Sequence, residues 1–200
     1  MPAMSKQYDR AYFDRWYRGT DRVTTKAELR RKVTMALSVA EYFLHRPVRS
    51  VLDIGCGEGA WRAHLRALRP RIAYSGLDPS AYAVKTFGTS RNIRRASFGE
   101  LPSLEIETRF DLIVCSDVLH YVRDAEIRAG VREIVRLLNG MAFIEALTRQ
   151  DEIIGDLEGL IRRPAEWYRN ALSGAGLVQV APYCWLAPSL HVFAAELERP

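Results

Sequence analysis

"VLDIGCGEGAW", residues 51–61, places glycines at 55, 57 and 59 directly behind a short apolar run. A strand that ends in such a turn brings bare backbone against a ligand, because glycine permits both the tight turn and the close approach. Two patterns overlap in these residues. Gly55-x-Gly57-x-x-Ala60 is an acceptable variant of a dinucleotide fingerprint, in which a pyrophosphate rests on the following helix N-terminus. Asp53-x-Gly55-x-Gly57-x-Gly59 is a second pattern, with a carboxylate ahead of the turn. The stretch alone does not separate them, so the flanking sequence must.

Working outward, short apolar runs alternate with helical patterns. Upstream, Tyr8, Tyr12, Phe13, Trp16 and Tyr17 crowd the first 25 residues, and Leu29, Val33, Leu37, Ala40 and Leu44 then form one helical stripe, stopped by Pro47. Ser50 to Ile54 reads as a buried strand, and residues 60–69 as a helix closed by Pro70. A strand from Ile72 to Leu77 follows, then a helix opened by Asp78-Pro79 and ended by Gly88. After a weaker strand at Asn92 to Ser97, "RFDLIVCSD" (109–117) is the continuous apolar run of a central parallel strand. Ile127, Val131, Ile134, Val135 and Leu138 share the face of the next helix, which Asp124 is expected to cap and Gly140 to close.

"MAFIEAL" (141–147) is the fifth strand candidate. A polar, acidic insertion from Thr148 to Glu158 leads to a helix starting at Pro164 and ending near Gly174 or Gly176. Two β-rich segments, "LVQVAPYCWL" (177–186) and "LHVFAAELE" (190–198), close the sequence and are expected to pair as antiparallel neighbours. Strands alternating with helices predict an α/β domain layered helix–sheet–helix.

At 200 residues and 48% hydrophobic, the chain suits one domain spanning 1–200, with an N-terminal helical and aromatic lid segment over 1–46 and a core over 47–200. There is no apolar run near the ~18–20 residues needed to span a bilayer, and Met1 to Arg10 lacks the apolar centre of a signal peptide. A soluble, cytoplasmic chain is expected, with no membrane partner. The three cysteines (Cys56, Cys115, Cys184) offer neither a disulfide framework nor a metal half-site, so no metal is expected. The net charge of +5 permits a polyanionic partner. The basic residues are dispersed among acids, however, as in "KAELRRKV" and "RDAEIRAGVREIVR", which reads as solvated helix faces rather than a nucleic-acid track. Oligomeric state is not legible.

Four features together resemble the class I S-adenosylmethionine-dependent methyltransferases, over about Val51 to Glu196. They are "VLDIGCGEG" with Asp53 two residues ahead of the first glycine, Asp78 at the end of the next strand, "FDLIVCSDVLHYV" on the fourth strand, and a closing β-hairpin. The fold implied is a Rossmann-like three-layer sandwich with a mostly parallel seven-stranded sheet and one reversed C-terminal strand. The function implied is methyl transfer from S-adenosylmethionine, with S-adenosylhomocysteine as product. A carboxylate at position 53 separates this from a dinucleotide site, because a sulfonium and an ammonium favour nearby negative charge and a pyrophosphate does not. Asp53 either approaches the cationic end of the cofactor or only tethers the turn.

By the same resemblance, Gly55 and Gly57 bring backbone to the cofactor and Asp78 bonds the ribose hydroxyls; as plain structure, Asp78-Pro79 is a helix cap. Ser97 stands where the family commonly has an aspartate at the adenine, with Phe98 beside it. Ser116 matches a position that borders the methionine portion. Tyr12 and Trp16 either close over cofactor and acceptor, with Tyr17, or pack an amphipathic segment. His120 and Tyr121, just past the fourth strand, are the candidate catalytic residues; His120 has a suitable pKa for a base, or is simply packed at the next helix. Trp167 and Tyr168 line an acceptor pocket or fill core. The sequence lacks the Asn-Pro-Pro-Tyr or Asp-Pro-Pro-Tyr run typical of amino-methylating nucleic-acid enzymes. A small-molecule acceptor at nitrogen or oxygen is the leading expectation. An RNA or protein methyltransferase and a non-catalytic cofactor-binding partner subunit are the alternatives.

Overall fold

Side-chain alternation along the central strands divides the interior into two cores, one on each face of a sheet. The computed structural model describes residues 6–19, 22–152 and 155–194. Its elements are α1 (Arg10–Phe13, continued by a wider turn over Asp14–Arg18), α2 (Lys26–Leu44), β1 (Ser50–Ile54), α3 (Ala60–Leu68), β2 (Ala73–Asp78), α4 (Ala81–Arg91) and β3 (Ile93–Arg95). They continue with β4 (Phe110–Ser116), α5 (Asp124–Leu137), β5 (Leu138–Glu145), α6 (Ala165–Ser173), β6 (Val178–Ala181) and β7 (Cys184–Leu186). The strand order is β3-β2-β1-β4-β5-β7-β6. Five strands from β3 to β5 run parallel, and β7 is antiparallel to both its neighbours, so it is the one reversed strand.

Leu52 and Ile54 of β1, Ile113 and Cys115 of β4, and Ala142 and Ile144 of β5 face one core, shared with α5 and α6. Val51, Leu112, Val114, Met141 and Phe143 point the other way, into a core built with α2 and α3. Period-two alternation with both faces covered is what a buried parallel sheet requires. A capping box starts α2: Glu28 N–H donates to Thr25 Oγ1 (3.2 Å) and Thr25 N–H to Glu28 Oε2 (2.7 Å). The helix ends in left-handed His45, two residues before Pro47. It buries Val33, Ala36, Leu37, Ala40 and Phe43 and so belongs to the layer itself. On the other face, α5 buries Ile127, Val131, Ile134 and Leu137, each worth about 1.5–3 kcal/mol against exposure.

Several expected boundaries are corrected. The closing hairpin is β6–β7, formed wholly within residues 178–186. The described part of the "LHVFAAELE" segment, residues 190–194, does not pair with it: Pro188–Phe193 is a 3₁₀ turn, and residues 195–200 lie outside the described residues. A turn through Tyr183 at φ 61° reverses the chain early. Gly140 does not close α5, which passes directly into β5. It is a strand residue, where a β-carbon would stand 2.3 Å from the Asp111 carbonyl oxygen of the neighbouring strand. Gly88 lies inside α4, and left-handed Asn92 ends that helix. Arg123, with Glu126, caps α5 in place of Asp124. Asp78 does not cap α4 either, a role taken by Ser80, whose Oγ accepts from Ala83 N–H at 3.0 Å.

Candidate active site

The chain leaves β1 toward β2 on one side and reaches β4 on the other, so the crevice beyond the C-terminal ends of β1 and β4 is where ligands bind in an open α/β sheet. The glycine turn forms its floor. Gly55 and Cys56 N–H both donate to Leu77 O (2.8 and 3.1 Å), stitching the turn to the end of β2. Gly55 and Gly57 have φ 71° and 54°; a β-carbon would meet Val118 Cγ2 at 2.2 Å in the first case and the Phe13 ring at 3.1 Å in the second. No larger residue fits either place without displacement.

Asp78 ends β2 facing this turn and is buried. Oδ2 accepts from Gly57 N–H (2.6 Å) and Oδ1 from Ser80 N–H (2.8 Å). Burial raises its pKa, against those two bonds, which lower it. Asp53, 2% exposed on β1, accepts a hydrogen bond from Tyr74 Oη of β2 at 2.7 Å. Burial pushes its pKa up to about 7, the Tyr74 bond opposes the rise, and Asp78 adds to it. Asp117, just past β4 and left-handed at φ 60°, is pushed up to about 6 by burial and by Glu145, with Lys32 opposing. Among the described residues none of these three carboxylates forms an ion pair. Raised carboxylate pKa values gathered at the end of a sheet mark a candidate functional site.

The N-terminal segment lies across the turn. Ser80 Oγ donates to Tyr8 O, and the buried Phe13 ring packs on Tyr82 with centroids 5.8 Å apart. Lys6 latches this segment to the insertion: its ammonium pairs with Asp156, donates to Glu158 O (2.9 Å) and lies 3.9 Å from the centroid of the Tyr121 ring. Arg18 pairs with Asp14 and with Glu58 of the glycine turn. Between segment, sheet end and insertion lies a cavity of about 240 Å³. Tyr12, Trp16, Tyr17 and Tyr121 give it aromatic walls, and Asp117, His120, Glu145 and Asp156 also line it.

His120 is 1% exposed, and its Nδ1 accepts from Leu147 N–H at 3.2 Å. Burial first, then Lys6 and Arg163, push its pKa down to about 4. The ring is therefore neutral near pH 7, with its proton on Nε2. Tyr121 Oη donates to Asp156 O (2.6 Å). Ser116 Oγ donates to Glu145 Oε2 (2.5 Å), and Lys32 of α2 clasps both Glu145 oxygens at 2.6 and 2.8 Å. The buried Arg163 guanidinium holds the loop that carries His120, donating to Leu119 O (3.2 Å) and Val122 O (2.6 Å) while pairing with Asp124.

The crevice thus gathers Asp53, Gly55, Gly57 and Asp78, while Tyr12, Trp16, His120 and Tyr121 share the cavity. Other expected residues stand differently. Ser97 spends its hydroxyl proton and its amide on Glu100, both at 2.7 Å, and the Phe98 ring is buried against Gly130 of α5. Pro79 is half-buried between Asp78 and Ser80. Trp167 and Tyr168 do not line the cavity; they pack with the α5–α6 core. Sequence reasoning missed Asp117, although a carboxylate ending a wholly apolar strand at its C-terminal edge was a legible signal. It also missed Lys32, Glu145 and the Lys6 latch, for which no local spacing gives a sign.

Residues 52–143 match the family described as "Methyltransferase domain". Among curated proteins, nodulation protein S of Sinorhizobium fredii is 29% identical over 98 residues, covering 46% of this chain and 44% of that protein. The chain thus matches less than half the length of that relative. Among solved structures, the sugar N-methyltransferase KedS8 from Streptoalloteichus has a TM-score of 0.61 at 20% identity, over 78% of this chain and 86% of that one. The plantazolicin methyltransferase BamL, in complex with a triazolic desmethylPZN analog and S-adenosylhomocysteine, has a TM-score of 0.59 at 20% identity, over 75% of this chain and 63% of that one. The structural likenesses bear on the fold, whose sheet order and single reversed strand fit it. Residues 52–143 thus resemble a methyltransferase domain, and the sheet order with its single reversed strand is the fold of these solved structures.

Proposed function

We propose that the chain transfers a methyl group from S-adenosylmethionine to nitrogen or oxygen of a small-molecule acceptor in the cytoplasm, with S-adenosylhomocysteine as product. The observation that carries this reading is the pair of buried carboxylates, Asp53 and Asp78, beside one glycine turn with no cation paired to them among the described residues. A sulfonium with its ammonium stabilises such a set, whereas a pyrophosphate would be repelled by it. When bound, the cofactor supplies a methyl group on positively charged sulfur.

Each Asp78 oxygen keeps a lone pair beyond its backbone bond, so Asp78 can hold the two ribose hydroxyls without releasing the turn. Gly55 and Gly57 offer backbone, and Asp53 serves the cationic end. Pro79, Ser97 and the Phe98 amide border the adenine, and Ser116 borders the methionine portion. Tyr12 and Trp16 act as a lid over the 47–200 core and keep water out. His120 and Tyr121 position the acceptor, His120 through the proton on Nε2. Holding acceptor and methyl in near-attack geometry is worth about 7–11 kcal/mol, so no triad or metal is required. Calorimetric titration with S-adenosylmethionine, S-adenosylhomocysteine and NAD tests the reading. Both adenosyl ligands are expected to bind and NAD is not; failure of both adenosyl ligands overturns it.

A further inference from the structure

The charges around the cavity do not cancel, and the remainder is local. Glu145 is neutralised by Lys32, which clasps both its oxygens, and Asp156 by Lys6. Glu152 is an exposed residue at the margin. That leaves Asp117. Among the described residues its side chain makes no hydrogen bond and no ion pair, although the group lines the cavity and is partly withdrawn from water. Its backbone adopts the left-handed conformation, φ 60°, which is uncommon outside glycine and is held here by its N–H bond to Glu145 O at 3.2 Å. This backbone, which aspartate tolerates, sets a carboxylate without a described partner on the cavity wall.

The walls favour the same charge. Tyr12, Trp16, Tyr17 and Tyr121 surround the cavity, and ring faces attract ammonium groups. One corner already holds an ammonium belonging to the chain, since Lys6 Nζ lies 3.9, 5.4 and 5.7 Å from the centroids of Tyr121, Tyr8 and Tyr12. By contrast, the nitrogen groups lining the cavity among the described residues are not free to take a hydroxyl proton. His120 has its Nδ1 committed to Leu147 and is a poor base, while Lys32 is committed to Glu145. A carboxylate acceptor would meet like charge at Asp117.

We infer that the acceptor is an amine that arrives as its ammonium, and that Asp117 binds it and takes its proton. The inference rests on the methyl-transfer reading and narrows it from nitrogen or oxygen to nitrogen. An ammonium N–H bond breaks toward an Asp117 oxygen. The lone pair so freed forms the new N–C bond while the methyl C–S bond breaks, and that electron pair remains on sulfur as a neutral thioether. Asp117 returns the proton to solvent when the methylated product leaves.

Matched probes test this: benzylamine against benzyl alcohol, and cyclohexylamine against cyclohexanol, each titrated calorimetrically into the chain saturated with S-adenosylhomocysteine. The amines are expected to bind at least about tenfold tighter than the alcohols, as an ion-paired hydrogen bond implies. Asp117→Asn, which keeps the shape and tolerates the left-handed backbone, is expected to erase that preference while S-adenosylhomocysteine still binds. Equal affinity for amine and alcohol, no amine binding to the loaded chain, or a preference surviving in Asp117→Asn overturns the inference. Failure of the wild-type chain to bind S-adenosylhomocysteine instead overturns the methyl-transfer reading beneath it.

Discussion

Asp53 has been taken out of water with one tyrosine hydroxyl as its partner, and that has a cost measurable without any ligand. Its carboxyl titrates at about 7 in the fold, against about 4 in an unfolded chain. Between those values the folded chain holds a proton that the unfolded chain has lost, so stability falls as pH rises through the window. We predict a loss of at most about 4 kcal/mol from this group between pH ~4 and pH ~7. Urea denaturation across that range should show it, and Asp53→Asn should flatten it; parallel curves for the two proteins would contradict the assignment. At Asp78, replacement by alanine removes the bond to Gly57 N–H as well as the proposed ribose contact. Affinity for S-adenosylhomocysteine should fall about tenfold or more with the circular dichroism spectrum unchanged. Both residues were legible because they sit at fixed offsets from the glycine turn. Lys32 and Glu145 were not, since 113 residues separate them and only the packing of α2 across β5 brings them together.

Elements carry a different set of consequences. Arg163, ahead of α6, is buried and donates to two carbonyls of the loop between β4 and α5, and it lies 4.8 Å from the Trp167 ring centroid. Arg163→Met strands those carbonyls, and we predict a loss of about 2–4 kcal/mol in urea denaturation. A loss within ~0.5 kcal/mol, typical of a neutral surface change, would mean the loop does not depend on it. The N-terminal segment is held by Lys6 at the insertion and by Ser80 at Tyr8. Lys6→Ala should raise protease sensitivity before α2 while leaving the melting transition of the core in place. Strand and helix order was readable from periodicity alone, because both faces of the sheet are covered and the runs are apolar. Junctions were harder. Gly140 looked like a helix stop, but what demands glycine there is a carbonyl of the adjacent strand, a non-local contact. The β-rich composition of "LHVFAAELE" likewise gave no sign that Tyr183 turns the chain before it.

The whole molecule ties stability to occupancy. A ligand present at a hundred times its dissociation constant stabilises a fold by about 2.7 kcal/mol, so a thermal shift with S-adenosylmethionine reads out the proposed site directly. The shift should be larger at pH 8 than at pH 6, since ionised Asp53 attracts a cation and protonated Asp53 does not. No described helix is long and apolar enough to cross a membrane. On the proposed reading, the unpaired carboxylates also give the reaction a direction. Methyl transfer turns a charged sulfur into a neutral one, so a crevice that attracts the reactant loses part of its hold on the spent nucleoside. The same negative charge that recruits the methyl donor thus favours its replacement after each turnover, and product inhibition should weaken as pH rises.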